Sequence, residues 1–242
     1  VRLARAGLLS LIAATAILLR PTAAHACGVS GVGGQASAAC ALELPDSKRV
    51  SAAYTYTSTA LTFTGDQRAD VSRHAVSASM SFPWGKKLVF EGAIGGLAGG
   101  TLTLNHVDYS FRPGFLIGAS ATYLLVKEGK WIPSVLASAT LAGLFASTSA
   151  SSDRTQDFNA FDLRVGAAAG KHLTSDWSLF VLGRAFGGPI YWRVAGESVQ
   201  GTDRYHYQAG LGTAYSMGPA FLFAEGIPLG ERAVSVGAGS AF

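Results

Sequence analysis

Apolar and small or polar residues alternate along much of the chain, most cleanly at its end. There Val234, Val236, Ala238, Ser240 and Phe242 interleave with Ala233, Ser235, Gly237, Gly239 and Ala241. Near position 50, Val50, Ala52, Tyr54 and Tyr56 interleave with Ser51, Ala53, Thr55 and Thr57, and Val76, Ala78, Met80 and Phe82 with Ala75, Ser77, Ser79 and Ser81. A period of two sends successive side chains to opposite faces of a strand. Ten such segments follow from position 48: KRVSAAYTYTS, RHAVSASMSF, KLVFEGAIGG, YSFRPGFLIGASATYLLV, WIPSVLASATLAGLFA, FNAFDLRVGAAAG, WSLFVLGRAFGG, DRYHYQAGLGTAYS, PAFLFAE and RAVSVGAGSAF. Eight or twelve strands are the alternatives if weak segments such as PAFLFAE are misread. The connections alternate between short ones (PWGK, KEGK, LTSD, SMGP) and mostly longer ones (TALTFTGDQRADVS, STSASSDRTQD, RVAGESVQGT).

Composition turns this all-β pattern toward a membrane. The chain is 49% apolar and only 14% charged. After the first residues no run of eighteen apolar residues exists, so membrane helices are not expected. The two best candidates, GFLIGASATYLLV and VLASATLAGLFAS, are interrupted by Ser, Thr and Gly, yet each exceeds the ~9–11 residues a tilted membrane strand needs. The fold class expected is a transmembrane antiparallel up-and-down β-barrel of about ten strands, with the short turns on the periplasmic side. Lys48, Lys86, Lys87, Lys127, Lys130 and Lys171 all fall at strand ends assigned to that side, as do Trp84, Trp131 and Trp177. Tyr109, Phe158, Tyr191, Trp192 and Tyr205, at the opposite ends, are expected to form an outer aromatic girdle.

The first residues set the compartment. Arg2 and Arg5 precede an apolar run over residues 6–19, followed by PTAAHAC, which reads as a secretory signal peptide at 1–26 cleaved after Ala26. A lipoprotein with Cys27 at the mature start is the alternative. Residues 27–47 are expected to form a periplasmic segment with a Cys27–Cys40 disulfide, an oxidising compartment allowing the bond; a lipidated Cys27 would leave Cys40 unpaired. Without the signal the charges nearly balance, which removes the basic face that nucleic-acid binding would need.

The export signal, the alternating strands and the terminal SVGAGSAF resemble the bacterial outer-membrane β-barrel superfamily. The resemblance covers residues 48–242, is architectural, and carries over no catalytic or ligand-binding residue. It implies an integral barrel and a last strand ending on Phe242 that the barrel assembly machinery reads during insertion; since the sequence ends at the barrel, the peptidoglycan-binding domain that some anchoring members append is not expected. The partners expected are outer-membrane lipid and lipopolysaccharide, the protein being a monomer.

Turning the polar face of each strand inward places Glu91, Arg112, Asp162, Arg164, Arg184 and Glu225 in the lumen, with His206 and Gln208. Lipid-facing charge at mid-depth costs ~2–4 kcal/mol, which favours this orientation. Facing Glu225 inward also turns Phe221 and Phe223 inward. An ion-paired, filled lumen and a structural or surface-interaction role are expected. A small-solute channel is the alternative, kept open by the inward Gly210, Gly212, Gly237 and Gly239. A rim enzyme is a third reading, for which Asp70 with His74, His106 with Asp108, and Asp203 with His206 are candidate general-base pairs. None completes a catalytic constellation with a third, orienting group, and the long loops and extra rim aspartates of the ten-stranded outer-membrane proteases are not evident. No metal site or cofactor is expected from the spacings.

Overall fold

The computed structural model describes residues 47–150, 155–194 and 196–242. The segment expected to be a signal peptide and the expected Cys27–Cys40 disulfide lie outside the described residues. Thirteen antiparallel strands form one sheet: β1 (Arg49–Phe63), β2 (Gln67–Trp84), β3 (Leu88–Leu104), β4 (Val107–Phe111), β5 (Gly114–Val126), β6 (Ser134–Ser149), β7 (Thr155–His172), β8 (Trp177–Gly187), β9 (Ile190–Val194), β10 (Glu197–Asp203), β11 (Tyr207–Met217), β12 (Ala220–Gly230) and β13 (Arg232–Ala241). Three of these divisions are interruptions within one wall strand. β4 and β5 both run between β3 and β6, broken at Arg112-Pro113; β8 continues as β9 past Gly188-Pro189; β10 continues as β11 past residues 204–206. Proline cannot donate to a ladder, which accounts for the first two breaks. Joining the three pairs leaves ten wall strands, and β13 closes the ring on β1 with Arg49 opposite Ala241.

The ring does not keep ten strands along its whole length. β12 and β13 span 11 and 10 residues, enough for one tilted membrane crossing, whereas β1, β2, β3, β6 and β7 span 15 to 18. Beyond the tight β12–β13 turn, Leu61–Phe63 of β1 pair directly with Gly201–Asp203 of β10. The barrel therefore narrows to eight strands at its distal end, the end opposite Arg49 and Ala241. Gly230 makes the turn possible: its φ is +79°, and a Cβ there would lie 1.8 Å from the Tyr207 carbonyl oxygen.

The polarity of the wall inverts at this step. In the ten-stranded part, β1 turns Val50, Tyr54 and Tyr56 outward and buries Ser51, Thr55 and Thr57, while β2 exposes Val76 and Phe82 and buries Ser77, Ser79 and Ser81. Ile94, Ile117, Leu141, Leu163, Val181, Leu222 and Val236 continue the exposed apolar belt. So continuous a belt would be an aggregation surface in water and is ordinary in lipid. In the eight-stranded part the order reverses. Leu61, Phe63, Ala69, Val71, Leu102 and Leu104 face a packed interior, and Arg68, Asp70 and Asp108 face out. A closed ring with an apolar belt and a polar interior is a membrane-spanning β-barrel of the outer-membrane type, here carrying a water-facing extension with a core of its own.

This extension corrects two expectations. The long outer loops are largely strand: TALTFTGDQRADVS bends only at residues 64–66, and RVAGESVQGT is the β9–β10 hairpin. Thr and Ser in such segments suit a strand with one wet face. Tyr109, Phe158 and Trp192 are not part of an outer girdle. Phe158 and Trp192 are fully buried at the centre of the distal core and Tyr109 packs against them from the same inward face, because water outside the wall reverses which face takes the aromatic residues.

Candidate functional site

The lumen of the ten-stranded part is held by two inward ion-pair groups. Arg164 on β7 binds Asp162, two residues away on the same face, and its Nη2 donates to Glu231 Oε2 at 3.2 Å. Glu231 sits in the β12–β13 turn, four strands round the ring from β7 by way of β8, β11 and β12, so this contact crosses the lumen. Arg164 and Glu231 are 4% and 1% exposed, and the guanidinium carbon lies 4.6 Å from the centre of the Phe186 ring. Below it, Arg184 on β8 donates to Glu225 on β12 at 3.2 and 3.5 Å. Gly166 on β7 leaves room for this arginine, since a Cβ there would lie 2.6 Å from Arg184 Cγ. Pairs this buried cost desolvation and are retained where both partners stay in place.

Arg73 and Asp203 extend the group at the ten-to-eight step. Both are buried, Thr59 Oγ1 donates to Asp203 Oδ1 at 3.5 Å, and with Asp162 and Arg164 they line a cavity of about 30 Å³. That volume suits one or two waters, not a solute. Nearer the terminal end, Glu91 faces inward, and the register Arg49–Ser81–Glu91 places it at the level of the equally buried Arg49.

Phenyl rings also project into the lumen from β8 and β12. The inward glycines are covered by rings from the neighbouring strand: a Cβ on Gly239 would lie 2.3 Å from Phe221 Cζ, one on Gly237 the same distance from Phe223 Cζ, and one on Gly212 the same from Phe180 Cζ. Phe221, Phe223 and Glu225 all face in. Aromatic cover over strand glycines stabilises a sheet, and here it removes the space those glycines would otherwise leave. Above the ion pairs the distal core closes the barrel, with Trp192 Nε1 donating to Thr148 Oγ1 at 2.9 Å and Tyr109 edge-on to Trp192 at 4.8 Å.

Of the expected lumen charges, Glu91, Asp162, Arg164, Arg184 and Glu225 stand on the inward face, and Gln208 is buried there as well. Arg112 departs from this set. It is exposed at the β4–β5 break, where Pro113 interrupts the strand, and its Nε donates to Ser149 Oγ on the outward face. His206 is likewise exposed, in the break between β10 and β11. Four inward charges were not among those expected: Arg49, Arg73, Asp203 and Glu231. Arg73 shares its row with Ser77 and Ser79 and could have been found by counting back by two. Glu231 lies in a turn, where alternation gives no direction.

The candidate rim pairs come apart. His106 is the second residue of a two-residue turn, with φ of 51° at Asn105 and 64° at His106, while Asp108 accepts from Thr103 Oγ1 at 2.7 Å. His74 Nδ1 is 2.6 Å from Tyr54 Oη on the outer surface, and its ring stacks on Tyr54 and lies tilted against Tyr56, without Asp70. Asp203 faces the lumen and His206 the exterior. No group of three or more metal-ligating side chains occurs among the described residues.

No protein-family model matches the sequence, and no curated protein matches it. Among solved structures, the chain is similar to the translocator domain of the autotransporter NalP from Neisseria meningitidis. Identity is 13% over 83% of this chain and 91% of that one, with a TM-score of 0.49. It is also similar to the transport unit of the autotransporter AIDA-I from Escherichia coli, at 12% identity over 83% and 91% and a TM-score of 0.45. The outer membrane protein OprG from Pseudomonas aeruginosa is 7% identical over 81% and 96%, with a TM-score of 0.43. The barrel assignment stands on this chain's own strand pairing and lipid-facing belt.

Proposed function

We propose that the protein is an outer-membrane barrel whose lumen is closed along its length, with its distal end outward, and that it serves a structural or surface-interaction role. The observation that carries this reading is the set of side chains that meet inside the ring at three successive levels. A conducting pore needs a continuous wet path, and three successive obstructions oppose one here: the phenyl rings over Gly237 and Gly239, the Arg164–Glu231 contact, and the core around Trp192. The separation of every candidate acid–histidine pair supports a non-catalytic role over a rim enzyme. The closed ring has no free edge for another strand to extend, which supports a monomer, seated among outer-membrane lipid and lipopolysaccharide after insertion by the barrel assembly machinery.

Two measurements test the reading. Purified protein reconstituted in a planar bilayer is expected to show no discrete conductance steps, and openings in the wild type would overturn the closed lumen. Unboiled protein is expected to migrate differently from boiled protein on a denaturing gel, and identical migration would count against a stable barrel.

A further inference from the structure

The lipid-facing belt is not smooth. Toward the distal end of its membrane crossing, between β5, β6, β7 and the β8–β9 break, it sinks into an open groove of about 560 Å³. This lies within the ~300–1,000 Å³ range of small-ligand sites. Ile117, Leu141, Phe145, Phe161 and Leu163 form the walls, and Gly143, Gly187 and Gly188 the low ground between them. The strand break deepens it: Pro189 cannot donate across to β7, and Gly188 approaches so closely that a Cβ would lie 1.9 Å from the Phe161 carbonyl oxygen. Short side chains on the outward face are thus ringed by long ones.

Arg112 lies just distal to this groove, outside its lining and across from Ser147 on β6. Its backbone N–H donates to the Ser147 carbonyl at 2.8 Å, two residues along β6 from Phe145, and its Nε donates to Ser149 Oγ at 3.5 Å. The side chain is exposed, and no ion pair to it occurs among the described residues. Just beyond the groove the outward face becomes polar, with Ser147, Asn159 and Asp157. A cation therefore sits distal to an apolar trough that opens on lipid, at the level where the outward face turns polar.

We propose that this groove and Arg112 together bind an anionic, phosphate-bearing lipid of the outer leaflet, the acyl chain lying between Phe145 and Phe161 and the phosphate on the Arg112 guanidinium. The proposal rests on the outer-membrane reading, with the distal end outward. Arginine suits the task because its planar fork matches phosphate oxygens and stays charged at every working pH. The groove supplies the selectivity for a seated chain that a lone surface arginine would lack.

The test uses the full folded chain in phosphatidylcholine nanodiscs doped with phosphatidylglycerol, with lipids retained on ejected protein counted by native mass spectrometry. Wild type is expected to retain phosphatidylglycerol in preference to phosphatidylcholine. Arg112→Gln is expected to lower that retention roughly tenfold, the scale of one hydrogen bond to a charged group, and Arg112→Lys to keep most of it. Ala119→Trp, at an exposed position lining the groove, is expected to lower retention without touching the charge, and Leu141→Ser replaces it if that variant does not fold. Equal retention of the two lipids, indifference to Arg112→Gln, or retention unaffected by filling the groove would each overturn the proposal. A dimer in place of a lipid adduct would overturn it too, assigning the groove to a second copy. Heat-modifiable migration and bilayer conductance are read on the same preparations, so a failed barrel or an open pore is told apart from a missing lipid site.

Discussion

Arg164 and Glu231, 67 residues apart in sequence, meet at 3.2 Å across the lumen, at the height where the wall loses two of its strands. The turn that ends the β12–β13 hairpin therefore carries the carboxylate that anchors the opposite wall. Glu231→Gln leaves Arg164 buried with only Asp162 as a direct partner. Removing one partner of a buried pair costs roughly 3–5 kcal/mol, so the urea midpoint of refolding into detergent micelles is expected to fall accordingly. An unchanged midpoint would show that the crossing contact contributes nothing.

Trp192 is fully buried against Phe63 and Tyr109. Trp192→Ala is expected to cost about 3–5 kcal/mol and to increase proteolysis of the β9–β10 hairpin while the membrane part keeps its heat-modifiable migration. A loss below about 1 kcal/mol, the range of an exposed surface position, would be incompatible with a packed distal core.

The rings over the inward glycines give a paired test. Gly239→Ala is expected to destabilise the barrel by about 1–3 kcal/mol through overpacking against Phe221 and the Val50 carbonyl oxygen. Phe221→Leu in the same chain is expected to recover part of that loss. Additive effects, measured as a double-mutant cycle in urea, would mean that the ring does not rest on the glycine.

His106 holds a left-handed backbone conformation that costs a non-glycine residue about 1–2 kcal/mol. His106→Gly is therefore expected to stabilise the β3–β4 hairpin, since Asn-Gly is a preferred pair for a turn with φ positive at both central residues. A fall in stability together with loss of a hydrolytic activity would instead restore the catalytic role for this side chain.

The ten-stranded wall was legible because one face of each membrane strand must be apolar, and the row Val234, Val236, Ala238 writes that requirement directly into the chain. The distal extension was not. Its strands keep the same period but exchange faces, and alternation alone does not say which face meets water; Leu61 and Phe63 continue the inward row that Thr55 and Thr57 began. Tyr109, Phe158 and Trp192 were misplaced for this reason. Most lumen charges could be read by counting along strands, as with Asp162 and Arg164. Arg112 could not, because the wall strand is interrupted at Pro113 beside it and the guanidinium turns to Ser149 on the outer face. Glu231 needed the three-dimensional position of a turn, which no local pattern supplies.

The exchange of partners along β1 bears on how the ring is completed. Its first part meets β13, but its far part meets β10, which lies earlier in the chain. All eight members of the distal turret precede β11, so their ring closes through contacts that involve neither β12 nor β13. A chain without the β12–β13 hairpin should therefore retain the cap while losing the belt that holds it in lipid.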